Sequence, residues 1–268
     1  MQKIDVGFIG AGNMARAIFR GILSAGILPS DSIHVFDVNP GQYEAFSEPG
    51  VIFEKSSDDL VAKCDVVILA VKPQNFQDVL SGIRSVVSNQ KLFVSIAAGI
   101  SSNYIIDTLG CACPIVRVMP NTPLLIGKGA TALCRTAQVS EEQFNLVKSF
   151  FASCGSVEEL PESQMNAIIA VNGSSPAYIY LFAKAVVDEA ACQGIDREVA
   201  LRLFCKTLEG SAGMLLDSGK TAEELIKMVS SPGGTTLKAL EVLYQENFEQ
   251  LVGNAMKACT KRAEELGK

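Results

Sequence analysis

Ten residues near the start, Val6-Gly-Phe-Ile-Gly-Ala-Gly-Asn-Met-Ala15, restrict what this chain can fold into more than any other stretch. Lys3 to Ile9 reads as a short, mostly apolar strand, and Gly10-Ala11-Gly12 follows it without a spacer. From Asn13 onward the apolar Met14, Ile18 and Ile22 recur on one helical face. Strand, glycine turn and helix, in that order, are the context that a G-x-G-x-x-G/A dinucleotide fingerprint requires. Gly10 permits the tight turn and Gly12 lets backbone approach a pyrophosphate. Ala15 keeps the helix close to the strand, and the helix N-terminus faces the phosphate charge.

The same alternation continues. Ser32-Ile-His-Val-Phe-Asp37 is a second strand that ends in an acid, and Val51 to Glu54 a short third. Asp37 lies about twenty residues past the glycines, where a carboxylate accepts hydrogen bonds from the adenine-ribose diol and disfavours a 2′-phosphate. Asp37-Val-Asn-Pro-Gly41 is equally good turn chemistry, so both readings stand, and NADH remains open beside NADPH. Asp65 to Val71 and Leu92 to Ile96 are continuous apolar runs suited to parallel strands covered on both faces. The first stops at Lys72-Pro73 and the second at Ala97-Ala98-Gly99, where small residues leave room for a flat ring. Pro114 to Met119 is a further strand, closed by Pro120-Asn121-Thr122-Pro123, a stiff turn that holds polar groups at a strand's C-terminal end. Helical spacing falls at Ser57–Lys63, Asn75–Val87, Ser101–Leu109 and Ser140–Ala152, with strands near 129–135 and 155–159. The pattern predicts a doubly wound, mainly parallel α/β sheet.

The charged, proline-containing stretch Glu158 to Glu162 marks the boundary between domains at residues 1–161 and 162–268. Past Met165 strand patterns vanish. Pro176 to Cys192 is helical and apolar on nearly every side, so both of its faces need cover, for which a second subunit is the natural source. Helices follow at 197–216, 222–228 and 235–266. Ser231-Pro-Gly-Gly-Thr-Thr236 reads either as an interhelical loop or as a turn that feeds a helix N-terminus able to hold a carboxylate.

Several classes of function are disfavoured. A net charge of −6 with no Lys/Arg run argues against nucleic acid. No uninterrupted apolar stretch approaches the ~18 residues of a membrane span, and no signal-peptide layout is seen, which predicts a cytoplasmic protein. The eight cysteines are scattered without a CxxC pair, and His34 is the only histidine, so no metal site is expected. Buried free thiols in a reducing cytosol are the expectation.

Six blocks carry a resemblance. Val6–Ala15, Leu69-Ala-Val-Lys-Pro73, Ser95-Ile-Ala-Ala-Gly99, Arg117-Val-Met-Pro-Asn-Thr-Pro123, Asn172-Gly-Ser-Ser-Pro-Ala-Tyr178 and Val229-Ser-Ser-Pro-Gly-Gly-Thr-Thr236 each resemble a block of pyrroline-5-carboxylate reductase, in that family's order and over nearly the whole chain. The last is the most specific. The resemblance implies reduction of 1-pyrroline-5-carboxylate to L-proline with NADPH or NADH, the last step of proline biosynthesis. It implies an N-terminal Rossmann domain and an all-helical C-terminal dimerisation domain, giving a homodimer or, further, a pentamer of dimers. By position, Ile9, Gly10, Ala11, Gly12, Asn13 and Met14 would line the pyrophosphate, with Asp37 near the ribose. Ala70, Val71, Lys72, Pro73, Ile96, Ala97 and Ala98 would contact ribose and nicotinamide, and Asn121 would complete the cofactor set. Ser231, Gly233, Gly234, Thr235 and Thr236 would surround the substrate, with Thr236 near the ring nitrogen as the catalytic group. Two places depart from the family: Ser175 stands where a glycine is usual, and Phe36-Asp37-Val38-Asn39 replaces the Ser, Asn or Arg of many NADPH-using members.

Imine reduction fits these residues. A protonated cyclic imine is already an electrophile, so positioning does much of the work. Hydride transfer to or from an alcohol usually needs a placed acid/base, and His34 lies in a strand away from the expected pocket. The runner-up is a β-hydroxyacid dehydrogenase using Lys184, whose Lys-x-x-Asn-Asn signature is absent because Val187 and Asp188 occupy those places. Lys184 reads better as a snorkelling surface side chain. A non-catalytic nicotinamide-binding sensor is the third alternative, and it would have no use for a second small-anion site.

Overall fold

Eight strands form one sheet in the order β3-β2-β1-β4-β5-β6-β7-β8. They are β1 Val6–Ile9, β2 Ile33–Phe36, β3 Ile52–Phe53, β4 Val66–Leu69, β5 Leu92–Ser95, β6 Ile115–Met119, β7 Gly129–Arg135 and β8 Gly155–Glu159. This computed structural model describes residues 3–267. Every pairing is parallel except β6 with β7, which is antiparallel. The Pro120–Lys128 connection between those two is too short for the crossover of about a dozen residues that a parallel pair needs.

The central strands are buried on both faces, as their unbroken apolar runs require. Alternate residues point to opposite layers. Phe8, Val66, Ile68 and Val94 face a layer made by α1 (Asn13–Ser24) and α5 (Glu141–Ala152), where Phe19, Phe144, Phe150 and Phe151 are wholly buried. Ile9, Val67, Leu69 and Phe93 face the other layer, built from α2 (Ser57–Lys63), α3 (Phe76–Ile83) and α4 (Ser102–Leu109). Each such side chain is worth ~1.5–3 kcal/mol of burial, which anchors the sheet. Helix starts are set locally. Ser56 and Ser101 accept from the backbone N–H groups of Asp59 and Tyr104, and Ser140 forms a capping box with Gln143.

By contacts the chain falls into two compact units. One holds the chain up to Pro176 and takes back Ala258 onward; the other is Ala177–Lys257. The second unit is helical, drawn from α6 (Ser175–Cys192), α7 (Arg197–Asp217), α8 (Ala222–Met228), α9 (Thr235–Gln245) and α10 (Phe248–Leu266). Asp196 caps α7 and a Thr221/Glu224 capping box starts α8. Phe182 and Phe204 meet edge to face. Within 177–257 only Val187 and Ala200 are buried, while Leu181, Leu203, Leu216 and Leu251 are exposed.

Two helix readings change, and one local feature is new. The helix expected over 75–87 is the shorter α3, preceded by a 3-10 turn at Pro73–Asn75 that the proline initiates. The single helix expected over 235–266 is two, because Asn247 sits at φ +54 between α9 and α10. Asn is the non-glycine residue that tolerates this region best, and no Gly or Pro marks the break. Ahead of α6, Ile169–Gly173 forms one π turn, closed by Ser174 N–H donating to the Ile169 carbonyl at 2.7 Å. Of the cysteines, Cys64, Cys113, Cys134 and Cys154 are buried as expected, but Cys192 and Cys205 are exposed, both on helices of the second unit.

Candidate functional site

The strand order reverses at β1 and β4, and an open α/β sheet binds ligands outside the carboxyl ends of its strands at such a point. A cleft of about 840 Å³ opens there, within the usual range for a small-molecule site. Its floor is the glycine turn. Gly10 N–H donates to the Phe36 carbonyl at 2.8 Å, and Gly10 has φ +99. A Cβ on Gly10 would lie 2.7 Å from the Ala70 carbonyl oxygen, so only glycine fits. Gly12 is the N-cap of α1; no side chain caps that helix, and a Cβ placed on Gly12 would meet nothing within 4 Å. The cradle therefore leaves open the space a pyrophosphate takes, beside an uncapped helix N-terminus. Ala15 is fully buried beneath it.

One rim carries Asp37. Its Oδ2 accepts from Ala11 N–H at 2.7 Å and its Oδ1 from Asn39 N–H at 2.8 Å. The Tyr43 hydroxyl accepts from Asp37 N–H and donates to the Asp37 carbonyl. Arg16, on α1, donates to Gln42 Oε1 at 2.9 Å. The opposite rim is Ala70, Val71 and Lys72, at the end of β4, with Asn75, Asp78 and Val79 at the start of α3.

Of the residues expected to hold a cofactor, Ile9, Gly10, Gly12, Asn13, Asp37, Ala70, Val71 and Lys72 line this cleft. Ala11 lies beneath it, fully buried, and reaches it only through the N–H given to Asp37. Met14 packs against the α1/α5 core. Pro73 starts the 3-10 turn beyond the rim. Ile96, Ala97 and Ala98 lie one strand further along, after β5, where Ile96 N–H donates to the Leu69 carbonyl and Ala97 is buried. That loop turns at Gly99 (φ +83), where a Cβ would lie 2.4 Å from the Ala263 carbonyl in the last turn of α10.

Asn121 has a different neighbourhood. Pro120 cannot donate to the β6–β7 ladder. Beyond it, Asn121 Oδ1 accepts from Ala130 N–H at 2.9 Å, while Asn172 Nδ2 donates to the Met119 and Ala130 carbonyls at 2.7 and 2.9 Å. Two asparagines thus take over the strand pairing where proline ends it.

Phe36, Val38, Asn39, Gln42, Ser57, Asn75, Asp78 and Val79 also line the cleft and were not anticipated. The available signal was topological: Asn39, Ser57 and Asn75 each follow a strand's carboxyl end, two of them at a helix start.

In the second unit, Ser231–Gly234 is a tight turn. Gly234 N–H donates to the Ser231 carbonyl at 2.9 Å, with Pro232 at its second position and Gly233, at φ +73, in its third. Gly234 is the N-cap of α9 with no side-chain cap, so Thr235 and Thr236 occupy an uncapped first turn. Thr235 is exposed and Thr236 half-buried.

Several charged groups elsewhere are paired. His34 Nδ1 and Lys63 Nζ meet Glu54 at 2.7 and 2.6 Å. Burial works against the Glu54 carboxylate, but the Lys63 and His34 hydrogen bonds outweigh it and hold its pKa below the usual range. Lys184 pairs with Asp188 on exposed α6 at 2.5 Å. Burial pushes the Cys64 and Cys113 thiols up to about 12 and Cys134 to about 11, so none of these supplies a thiolate at neutral pH. Among the described residues, no group of three or more His, Cys, Asp or Glu is placed to hold a metal ion, and no helix is long and apolar enough to cross a membrane.

Sheet order and glycine cradle together define an N-terminal Rossmann domain of the dinucleotide-binding class. Residues 5–99 match the model of NADP oxidoreductase, coenzyme F420-dependent, and residues 162–266 that of pyrroline-5-carboxylate reductase dimerisation. Pyrroline-5-carboxylate reductase of Pisum sativum is 38% identical over 265 residues, covering 99% of this chain and 97% of its own. That of Escherichia coli (strain K12) is 36% identical over 269 residues, covering 100% of both. The crystal structure of Plasmodium falciparum pyrroline carboxylate reductase with NADP bound superposes at a TM-score of 0.91, with 30% identity and 100% of both chains covered. The chain belongs to the pyrroline-5-carboxylate reductase family.

Proposed function

We propose that this chain reduces the C=N bond of 1-pyrroline-5-carboxylate to give L-proline, with NADH or NADPH as hydride donor, as the last step of proline biosynthesis. The observation that carries the reading is the Ser231–Thr236 turn at the uncapped N-terminus of α9, in a chain whose other unit holds the glycine cradle. A nicotinamide held there would supply the hydride for the imine carbon, which leaves the ring nitrogen of the iminium as the amine. Ile9, Gly10, Gly12 and Asn13 serve the pyrophosphate, Asp37 the ribose, and Ala70 to Pro73 and Ile96 to Ala98 the ribose and nicotinamide half, while Ala11, Met14 and Asn121 support this site from behind. Ser231 and Thr235 bind the substrate carboxylate through hydroxyl and free first-turn N–H donors, which a helix N-terminus favours, and Gly233 and Gly234 form the turn that surrounds it. The Thr236 hydroxyl hydrogen-bonds the ring nitrogen. No strong general acid is needed, because the iminium forms in water.

Family membership and the exposed apolar helices support a homo-oligomer. We take its unit to be a dimer built by residues 162–268, with residues 1–161 as the cofactor domain and pentamers of dimers as a further assembly. Eight unpaired cysteines suit a reducing compartment, so the cytoplasm is the proposed location. The exposed Lys184–Asp188 pair disfavours the hydroxyacid dehydrogenase alternative.

Oxidation of NADH and of NADPH, followed spectrophotometrically with 1-pyrroline-5-carboxylate, tests the reading; no pyrroline-dependent oxidation with either would reject it. Thr236→Ala is expected to lower kcat by about 10²-fold, as for loss of a positioned hydrogen-bonding group, with cofactor affinity near normal. Unchanged turnover would remove Thr236 from the mechanism.

A further inference from the structure

We propose that the cleft selects NADH over NADPH, and that Asp37 is the residue that selects. The proposal rests on the reading of this cleft as the dinucleotide site.

The two cofactors differ only in a phosphate on the adenine-ribose 2′-oxygen, so the choice falls on the rim beyond β2. Asp37 is fixed there from two sides, by Ala11 N–H on Oδ2 and Asn39 N–H on Oδ1. Each carboxylate oxygen has a second lone pair, so the same rigid group can accept from ribose hydroxyls. A 2′-phosphate offers only oxygens and up to two negative charges, and meets a carboxylate it cannot bond.

The backbone points the same way. Asn39 N–H, close behind β2, is a donor an incoming phosphate would need, and Asp37 Oδ1 already occupies it. The charged residues lining the cleft are Asp37, Asp78 and Lys72, and Lys72 stands on the opposite rim. Arg16 is tied to this side through Gln42, but it donates to Gln42 Oε1 and is not part of the lining. A phosphate would thus have to displace Asp37 from two hydrogen bonds or sit beside its charge. Asp37 also joins the glycine turn to the end of β2, so the group that reads the ribose fixes the loop that receives the pyrophosphate.

The test is a fluorescence titration of the full-length protein with NADH and with NADPH, without substrate, in 0.1 M salt. The wild type is expected to bind NADH at least tenfold more tightly. Asp37→Ser frees Asn39 N–H and should narrow that ratio by tenfold or more. Val38→Arg leaves the Asp37 bonds in place and sets a guanidinium at an exposed position on the same rim, where Val38 is 89% exposed; it should tighten NADPH alone. Equal wild-type dissociation constants would overturn the proposal, as would a ratio that neither variant moves or equal weakening of both cofactors in Asp37→Ser with no effect of Val38→Arg. The titrations contain no pyrroline, so failure of the reductase reading appears separately, as cofactor binding without imine-dependent oxidation.

Discussion

Arg117, on β6, joins three segments distant in sequence. Its Nη1 donates to Glu162 Oε1 at 2.9 Å, its Nη2 to Asn166 Oδ1, and the same Glu162 oxygen accepts from Ser102 N–H at the start of α4. Burial alone would raise the Glu162 pKa, but the Ser102 and Arg117 hydrogen bonds prevail and hold it below the usual value. A carboxylate shifted in this direction contributes stability above its unfolded pKa of ~4.3, and that contribution is lost as pH falls through the lower folded value. The melting temperature is therefore expected to drop below about pH 4.3, and Glu162→Gln to flatten part of the drop. A parallel pH profile for the variant would remove Glu162 from the acid transition. Arg117→Met should cost about 2 kcal/mol in urea unfolding, less than the ~3–5 kcal/mol of a fully buried pair, because the Glu162 side chain is 38% exposed.

Between elements, the asparagines that follow Pro120 show strand pairing completed by side chains. Asn172→Ala would leave the Met119 and Ala130 carbonyls without that donor, and about 2 kcal/mol of stability should be lost. A variant as stable as wild type by urea unfolding would mean that the strands close without it. The α9–α10 break gives a second prediction. Asn247→Val places a β-branched residue at φ +54 and should cost ~1–2 kcal/mol, whereas Asn247→Gly should be nearly neutral. Equal stability of the two would show that the break is not a backbone constraint.

Across the whole chain, the two units are built differently. The sheet unit buries most of its apolar residues within itself; in 177–257 only Val187 and Ala200 are buried, and Leu181 is 69% exposed. Such helices need cover from a second copy, so the melting temperature should rise with protein concentration. Leu181→Glu should shift sedimentation toward smaller species and lower that temperature, and a wild-type sedimentation profile would place Leu181 outside the contact.

Periodicity and composition made the sheet legible. Continuous apolar runs in alternation with helical spacing suit strands between two helical layers, and a glycine turn that joins such a strand to a helix suits a phosphate as well as a plain connection. The order of those runs therefore determined the α/β class, the position of the cleft, and the part of its floor formed by Gly10 and Gly12. Features that depend on a distant partner were not legible. Asn121 reads as a polar group at a strand end, yet Ala130 and Pro120 decide that its oxygen replaces a ladder bond. Asp37 reads as a ribose acceptor or a turn residue, and only the approach of the Ala11 N–H across the glycine turn shows it bound from both sides. The break at Asn247 carries no Gly–Pro punctuation, and the Gly173 and Pro176 that flank the end of the π turn before α6 mark an interruption without specifying its type. Local pattern records what each segment must bury; which lone pair meets which N–H is settled only when segments far apart in the chain come within 3 Å of one another.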